Sequence, residues 1–181
     1  MKSASELYEE SLKLSIQGKN EEALKICDKL IQIRGNSYDY NLHGACFYNL
    51  KKYDEAIKSL NKSVQLDFKN SYAYCNLGHV NYDNGNKEEA LKYYRKSLEY
   101  NCNFAHGFDG VAKVLFAQGK TQESIEYSNK ALYLDDKTPS FFCTRAKAYK
   151  QLGQDDLALK DTGMAKITVP EFYIITPRTQ T

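Results

Sequence analysis

Cys75 and His79 are four residues apart, one turn of a helix, and Asp109 follows further along the chain. Cys, His and Asp together are the elements of a nucleophile, its base and an orienting acid. The same side chains can ligate a metal. Nothing around them completes either chemistry. The chain has no glycine-rich phosphate cradle, no H-E-x-x-H and no loop suited to supply oxyanion donors. Chance readily supplies such a trio in a chain of this composition. We therefore expect a protein that is not an enzyme, with no catalytic residue, no metal site and no cofactor.

The five cysteines, Cys27, Cys46, Cys75, Cys102 and Cys143, form no C-x-x-C pair, and their number is odd. Zinc-ribbon and disulfide-framework spacings are both absent. They read as reduced, small apolar residues, which points to the cytoplasm. Asn61-Lys62-Ser63 matches the glycosylation triplet, but it falls within a predicted helix and the start of the chain lacks a secretory apolar stretch. Twenty-five basic against 23 acidic residues leave a net charge of +2. Nothing in their distribution resembles a phosphate-backbone footprint, so no nucleic-acid partner is expected. No apolar run approaches the ~20 residues needed to cross a bilayer, so no membrane role is expected. A hydrophobic content of 42% is enough for a core.

The elements that position these side chains follow from an internal period. Clusters of the type Gly18-Lys19-Asn20-Glu21-Glu22-Ala23 recur at Lys51–Ala56, Gly85–Ala90, Gly119–Ser124 and Gly153–Ala158, stepping by 33, 34, 34 and 34 residues. We number each unit from one at Ala4, Ser37, Ser71, Ala105 and Pro139. Position four is then large (Leu7, Tyr40, Tyr74, Phe108, Phe142). Position eight is small (Ser11, Gly44, Gly78, Ala112, Ala146), and so is position twenty (Ala23, Ala56, Ala90, Ser124, Ala158). Small residues at eight and twenty let two helices approach closely, with large neighbours filling the space beside them. Glycine before the second helix suits a left-handed cap. The acidic residues that follow suit the positive end of that helix. Each unit is thus helix A, a tight turn and helix B, and no unit buries its apolar face alone.

This pattern resembles the tetratricopeptide repeat (TPR) family, over about residues 4–172. The resemblance implies an all-α fold, an α/α solenoid in which helix-turn-helix repeats form a right-handed superhelix. We expect ten helices over most of residues 4–167. The repeats fall at about 4–36, 37–70, 71–104, 105–138 and 139–172, giving one domain over 1–172 and a tail over 173–181. Several positions depart from the family pattern: Lys51 replaces the turn glycine, Asn81 replaces a large residue at position eleven, and the position-32 proline is present only as Pro170.

The resemblance also implies a concave groove lined by helix A, through positions two, five, six, nine, twelve and thirteen. Carried over, these give Tyr38, Asn41, Tyr48, Tyr72, Asn76, His79, Tyr82, His106, Lys113, Phe116, Lys147 and Lys150 as the candidate peptide-binding residues. Tyr38, Tyr48, Tyr72, Tyr82 and Phe116 make the middle of the groove aromatic, a low-entropy contact surface for a peptide. The competing reading is that these rings pack against adjoining helices. Lys113, Lys147 and Lys150, with His79 and His106 nearby, suit an acidic segment or terminal carboxylate. Against this, Asp109 and Lys113 have the spacing of an i,i+4 ion pair, which leaves the other lysines solvated. A chaperone-type carboxylate clamp needs lysine and asparagine donors, then a Lys/Arg pair, on three successive repeats. No register of this chain supplies the basic pair, and only the register of repeats two to four, through Asn76, has the position-six asparagine.

The expected function is a protein-interaction scaffold or adaptor that binds a peptide or partner protein in the groove. The alternative is a self-assembling protein, a homo-oligomer formed through the C-terminal repeat and the apolar tail. Gly163 weakens the last helix by roughly 1 kcal/mol relative to alanine. Phe172, Tyr173, Ile174 and Ile175 are expected to cover the outer face of repeat five, or that of a second molecule.

Overall fold

A computed structural model describes residues 2–166 of the chain. Ten α-helices occupy these residues, with no strand among them. They are α1 (Ala4–Ile16), α2 (Asn20–Ile33), α3 (Ser37–Asn49), α4 (Tyr53–Leu66), α5 (Ser71–Asp83), α6 (Lys87–Tyr100), α7 (Ala105–Ala117), α8 (Thr121–Leu134), α9 (Pro139–Gln151) and α10 (Asp155–Lys166). Odd-numbered helices are the A helices and even-numbered ones the B helices. Each A helix packs on its own B helix and on the A helix of the next repeat, and each B helix packs on the next A helix. The chain is an all-α solenoid of five helix pairs. The apolar residues expected at 172–175 lie outside the described residues.

Local chemistry sets the helix ends. Ser3 caps α1 and Asn36 caps α3, each in a reciprocal box, with Glu6 and Asp39 accepting in return from the cap backbone N–H. Asn70 caps α5 by accepting from the Ala73 N–H. The B helices use no side-chain cap in α2, α4, α6 or α8. The tight turn presents their first N–H groups, and acidic residues such as Glu21, Glu22, Asp54, Glu55, Glu88 and Glu89 sit in the first turn. The A-to-B turn needs a left-handed residue, supplied by glycine in four repeats and by Lys51 in the second, at a φ of 58°. The substitution leaves the turn intact and places a strained lysine in it.

Close helix approach is realised as a size exchange between positions eight and 24. Position twenty is fully buried in repeats one to four. At position eight, a Cβ on Gly44 would lie 2.6 Å from Leu60 Cγ, and one on Gly78 would lie 2.5 Å from Tyr94 Cε1. Ser11 in repeat one instead faces the smaller Cys27, Oγ to Sγ 3.0 Å. A large residue on the B helix is thus matched by a missing side chain on the A helix, which keeps packing at interior density. Asn81, at position eleven, is buried too. Its amide donates to the Leu77 carbonyl at 2.8 Å, which satisfies the polar group inside the helix.

Two buried ion pairs join successive repeats or helices. Arg34, just after α2, donates through Nε to Asp39 Oδ2 of α3 at 3.0 Å, and Asp39 is fully buried. Arg145 of α9 donates to both oxygens of Asp161 of α10, at 2.7 and 2.8 Å.

Candidate functional site

The predicted groove residues of the A helices fall into two layers of different depth. The inner layer is closed. Asn41 is fully buried, and Asn76 and His79 are 3% and 5% exposed. Asn76 Nδ2 donates to Asn41 Oδ1 at 2.9 Å, so these two residues, predicted to line a groove, instead tie α5 to α3 in the interior. The outer layer is open to different degrees. Tyr38 is 40% exposed, and Lys147 and Lys150 are exposed. Tyr48, Tyr72, Tyr82, His106, Lys113 and Phe116 are half-buried. The rings are therefore partly packed and partly presented. Tyr72 meets Phe104 edge-on at 5.0 Å, and His106 meets Phe141 in the same way at 5.1 Å. Tyr48 stacks over His79 at 6.4 Å and donates its hydroxyl to Asp83 at 2.7 Å.

Below Tyr48 lies a buried polar cluster whose centre the sequence reading missed. Tyr94, from the B helix α6, is fully buried and passes between Gly78 of α5 and Gly110 of α7. Its hydroxyl meets His79 Nδ1 at 2.8 Å, and His79 Nε2 lies 3.7 Å from Cys75 Sγ. Each neutral tautomer satisfies both contacts, since the Tyr94 hydroxyl and the Cys75 thiol can each donate or accept. Two glycines facing one position on adjacent A helices are the signal that a large side chain enters there.

The electrostatics of this cluster oppose catalysis by Cys75. Burial pushes the Cys75 thiol well above its ordinary range, so the reactive thiolate is disfavoured. Asp109 pairs with Lys113 rather than orienting His79. Lys113 Nζ lies 2.7 Å from Asp109 Oδ2, as the i,i+4 spacing predicts. Among the described residues no group of three His, Cys, Asp or Glu side chains is arranged to hold a metal. Cys27, Cys46 and Cys75 are buried, as expected of small apolar residues, whereas Cys102 and Cys143 are exposed.

Burial holds His79 well below its ordinary 6.5, reinforced by the nearby positive charges of Lys113 and His106. A histidine whose folded value is depressed contributes stability above its unfolded value and loses it as pH falls below that value. The unfolded chain takes up the proton first. The urea midpoint should therefore fall between about pH 6.5 and pH 5, with His79 contributing up to about 2 kcal/mol of the loss. His79→Asn should flatten that part of the profile relative to the parent. Parallel profiles would show that His79 is not the group responsible.

Family models described as TPR repeat and tetratricopeptide repeat match residues 44–85, 71–101 and 110–138. The sequence matches no curated protein. Among solved structures, a thermophilic TPR protein of Thermus thermophilus superposes with a TM-score of 0.82 at 17% identity, over 93% of each chain. A chain of the APC/C hetero-tetramer Cut9–Hcn1 gives 0.84 at 18% identity, over 91% of this chain and 33% of that one. A crystal structure of MamA gives 0.65 at 22% identity, over 87% and 92%. At these identities the likeness is one of fold. The 34-residue period, the five helix pairs with small residues at their contacts and the repeat-model matches converge, and the chain belongs to the tetratricopeptide repeat family.

Proposed function

We propose that the chain is a non-catalytic interaction scaffold whose concave groove takes an extended or helical segment of a partner protein. The observation that carries this reading is the two-layered A-helix surface. A closed polar layer of Asn41, Asn76 and His79 fixes the backbone, and an outer row of Tyr38, Tyr48, Tyr72, Tyr82 and Phe116 remains partly open. Rings already held by neighbours offer contact area with little further ordering cost. Lys147 and Lys150 extend the row with positive charge, which favours an acidic end to the bound segment. The near-neutral charge gives no support to a nucleic-acid partner. No described helix is long and apolar enough to cross a membrane. The reading places the protein in the cytoplasm.

The test uses exposed residues so that folding is spared. Partners are captured from native lysate and titrated against Tyr38→Ala and Lys150→Ala. Each substitution should change stability by no more than about 0.5 kcal/mol. At least one should weaken binding by about 1–2 kcal/mol, as interface anchors do. Unchanged affinity in both would overturn the groove reading.

Self-association is the second reading, favoured by the open face of α10, where Leu159 is 70% exposed, Leu157 45% and Met164 41%. Light scattering over a concentration series separates the two, since constant monomer mass excludes assembly.

A further inference from the structure

Away from the concave groove, repeat three carries a ladder of rings on its B-helix side. Tyr93 and Tyr74 stack with centroids 6.5 Å apart, Tyr74 and Tyr100 stack at 5.5 Å, and Phe68 meets Tyr100 edge-on at 6.1 Å. Lys96 Nζ lies 4.8 Å from the Tyr74 centroid. Repeat four begins the same ladder. Tyr127 and Phe108, at the positions of Tyr93 and Tyr74, lie 6.1 Å apart. Lys130, at the position of Lys96, is 4.8 Å from the Tyr127 centroid and 5.9 Å from that of Phe108. There the ladder stops. Leu134 stands at the position of Tyr100, and Cys102 at that of Phe68. At the interrupted end lies a cavity of about 360 Å³, lined in part by Cys102, Phe108, Lys130, Tyr133 and Leu134. Tyr133 is 90% exposed beside it.

We propose that this cavity is a binding site for an aromatic side chain of a partner polypeptide, with an acidic residue next to that side chain. The missing rungs define the ring: the protein's own Phe68 and Tyr100 show what completes the ladder one repeat earlier. The volume is that of a small ligand pocket, and Phe108 offers the offset or edge-on geometry that aromatic pairs favour. Among the described residues, Lys130 is the one charged side chain lining the cavity, so the complement beside the ring is a carboxylate. The site is built from α8, Phe108 of α7 and the α6–α7 connection, so it stands or falls independently of the concave groove.

Cys102 supplies the test, because its exposed thiol lines the cavity. The probe is N-(mercaptoacetyl)phenylalanine as its mixed disulfide with 2-mercaptoethanol. A protein thiolate attacks the probe sulfur, forms the protein–probe disulfide and releases 2-mercaptoethanol, with no net oxidation. The alanine analogue keeps the carboxylate and lacks the ring. Loading of each cysteine is read by peptide mass spectrometry at equilibrium in excess 2-mercaptoethanol. On Cys102 the phenylalanine probe should exceed the alanine probe by roughly three- to tenfold, the contribution of an aromatic pair. Leu134→Tyr fills the cavity from within and should abolish the excess, with circular dichroism confirming the fold. Lys130→Gln should lower loading by the phenylalanine probe severalfold. Equal loading of Cys102 by the two probes, an excess that survives Leu134→Tyr, or no loss with Lys130→Gln would each overturn the proposal.

Discussion

Replacing Tyr94 by alanine is expected to destabilise the protein by about 3–5 kcal/mol, the cost of removing a large buried ring. Tyr94 is fully buried, and its ring touches two A helices at once, opposite Gly78 and Gly110. The ring therefore fills the space that those glycines leave, and no neighbouring backbone is free to collapse into it. Tyr94→Phe should cost less, about 1–3 kcal/mol, because it removes only the hydroxyl that meets His79 Nδ1 at 2.8 Å and takes a hydrogen-bond partner from a buried ring nitrogen. The more discriminating result is the coupling. Gly110→Ala in the parent drives a Cβ into the Tyr94 ring, an overpacking worth about 1–3 kcal/mol. In the Tyr94→Ala background the same change meets a void and should cost little or stabilise. Urea unfolding of the four proteins gives the interaction energy directly. Additive effects would mean that Tyr94 and Gly110 do not share the space described.

Arg145→Met is expected to cost about 3–5 kcal/mol by leaving a buried carboxylate without its partner. Asp161 is only 2% exposed, and Arg145 grips both its oxygens while donating through its third nitrogen to Asn129 Oδ1 at 2.7 Å. One guanidinium thus joins α8, α9 and α10. Arg145→Lys keeps the charge but not the planar fork, so it should fall between parent and Met. Replacing both partners, as in Arg145→Met with Asp161→Leu, should recover most of the loss, because the desolvation penalty leaves with the charges. Nearest-neighbour stabilisation in a repeat array confines the damage. Hydrogen exchange should accelerate in α9 and α10 and remain near parent rates in α1 to α4. A uniform increase along the chain would show global coupling instead.

The period of Ala23, Ala56, Ala90, Ser124 and Ala158, with small residues twelve positions before them, was sufficient for ten helices in five pairs. Those signals are local, and the chain obeys them because each repeat meets only its neighbours. Even the departures were absorbed locally. Lys51 adopts the glycine conformation, and Asn81 bonds its own helix. The i,i+4 pair of Asp109 and Lys113 was equally legible, because helical spacing alone brings the two groups together.

What the sequence did not determine was depth. Helical periodicity assigns a residue to a face, but whether that face lies open or sealed depends on the neighbouring repeat. Asn41, Asn76 and His79 share the face of Tyr38 and Lys150, yet the next A helix, and Tyr94 reaching through from a B helix, close over them. Cys75 and His79 carried the residue types of a reactive pair, and only burial among Tyr94, Val111 and Val114 removed the solvation that a thiolate or imidazolium requires. The interrupted ladder beside Cys102 is likewise a tertiary property: Phe108 reads in sequence only as the large residue at position four, and the cavity exists because side chains from two repeats meet there without filling it.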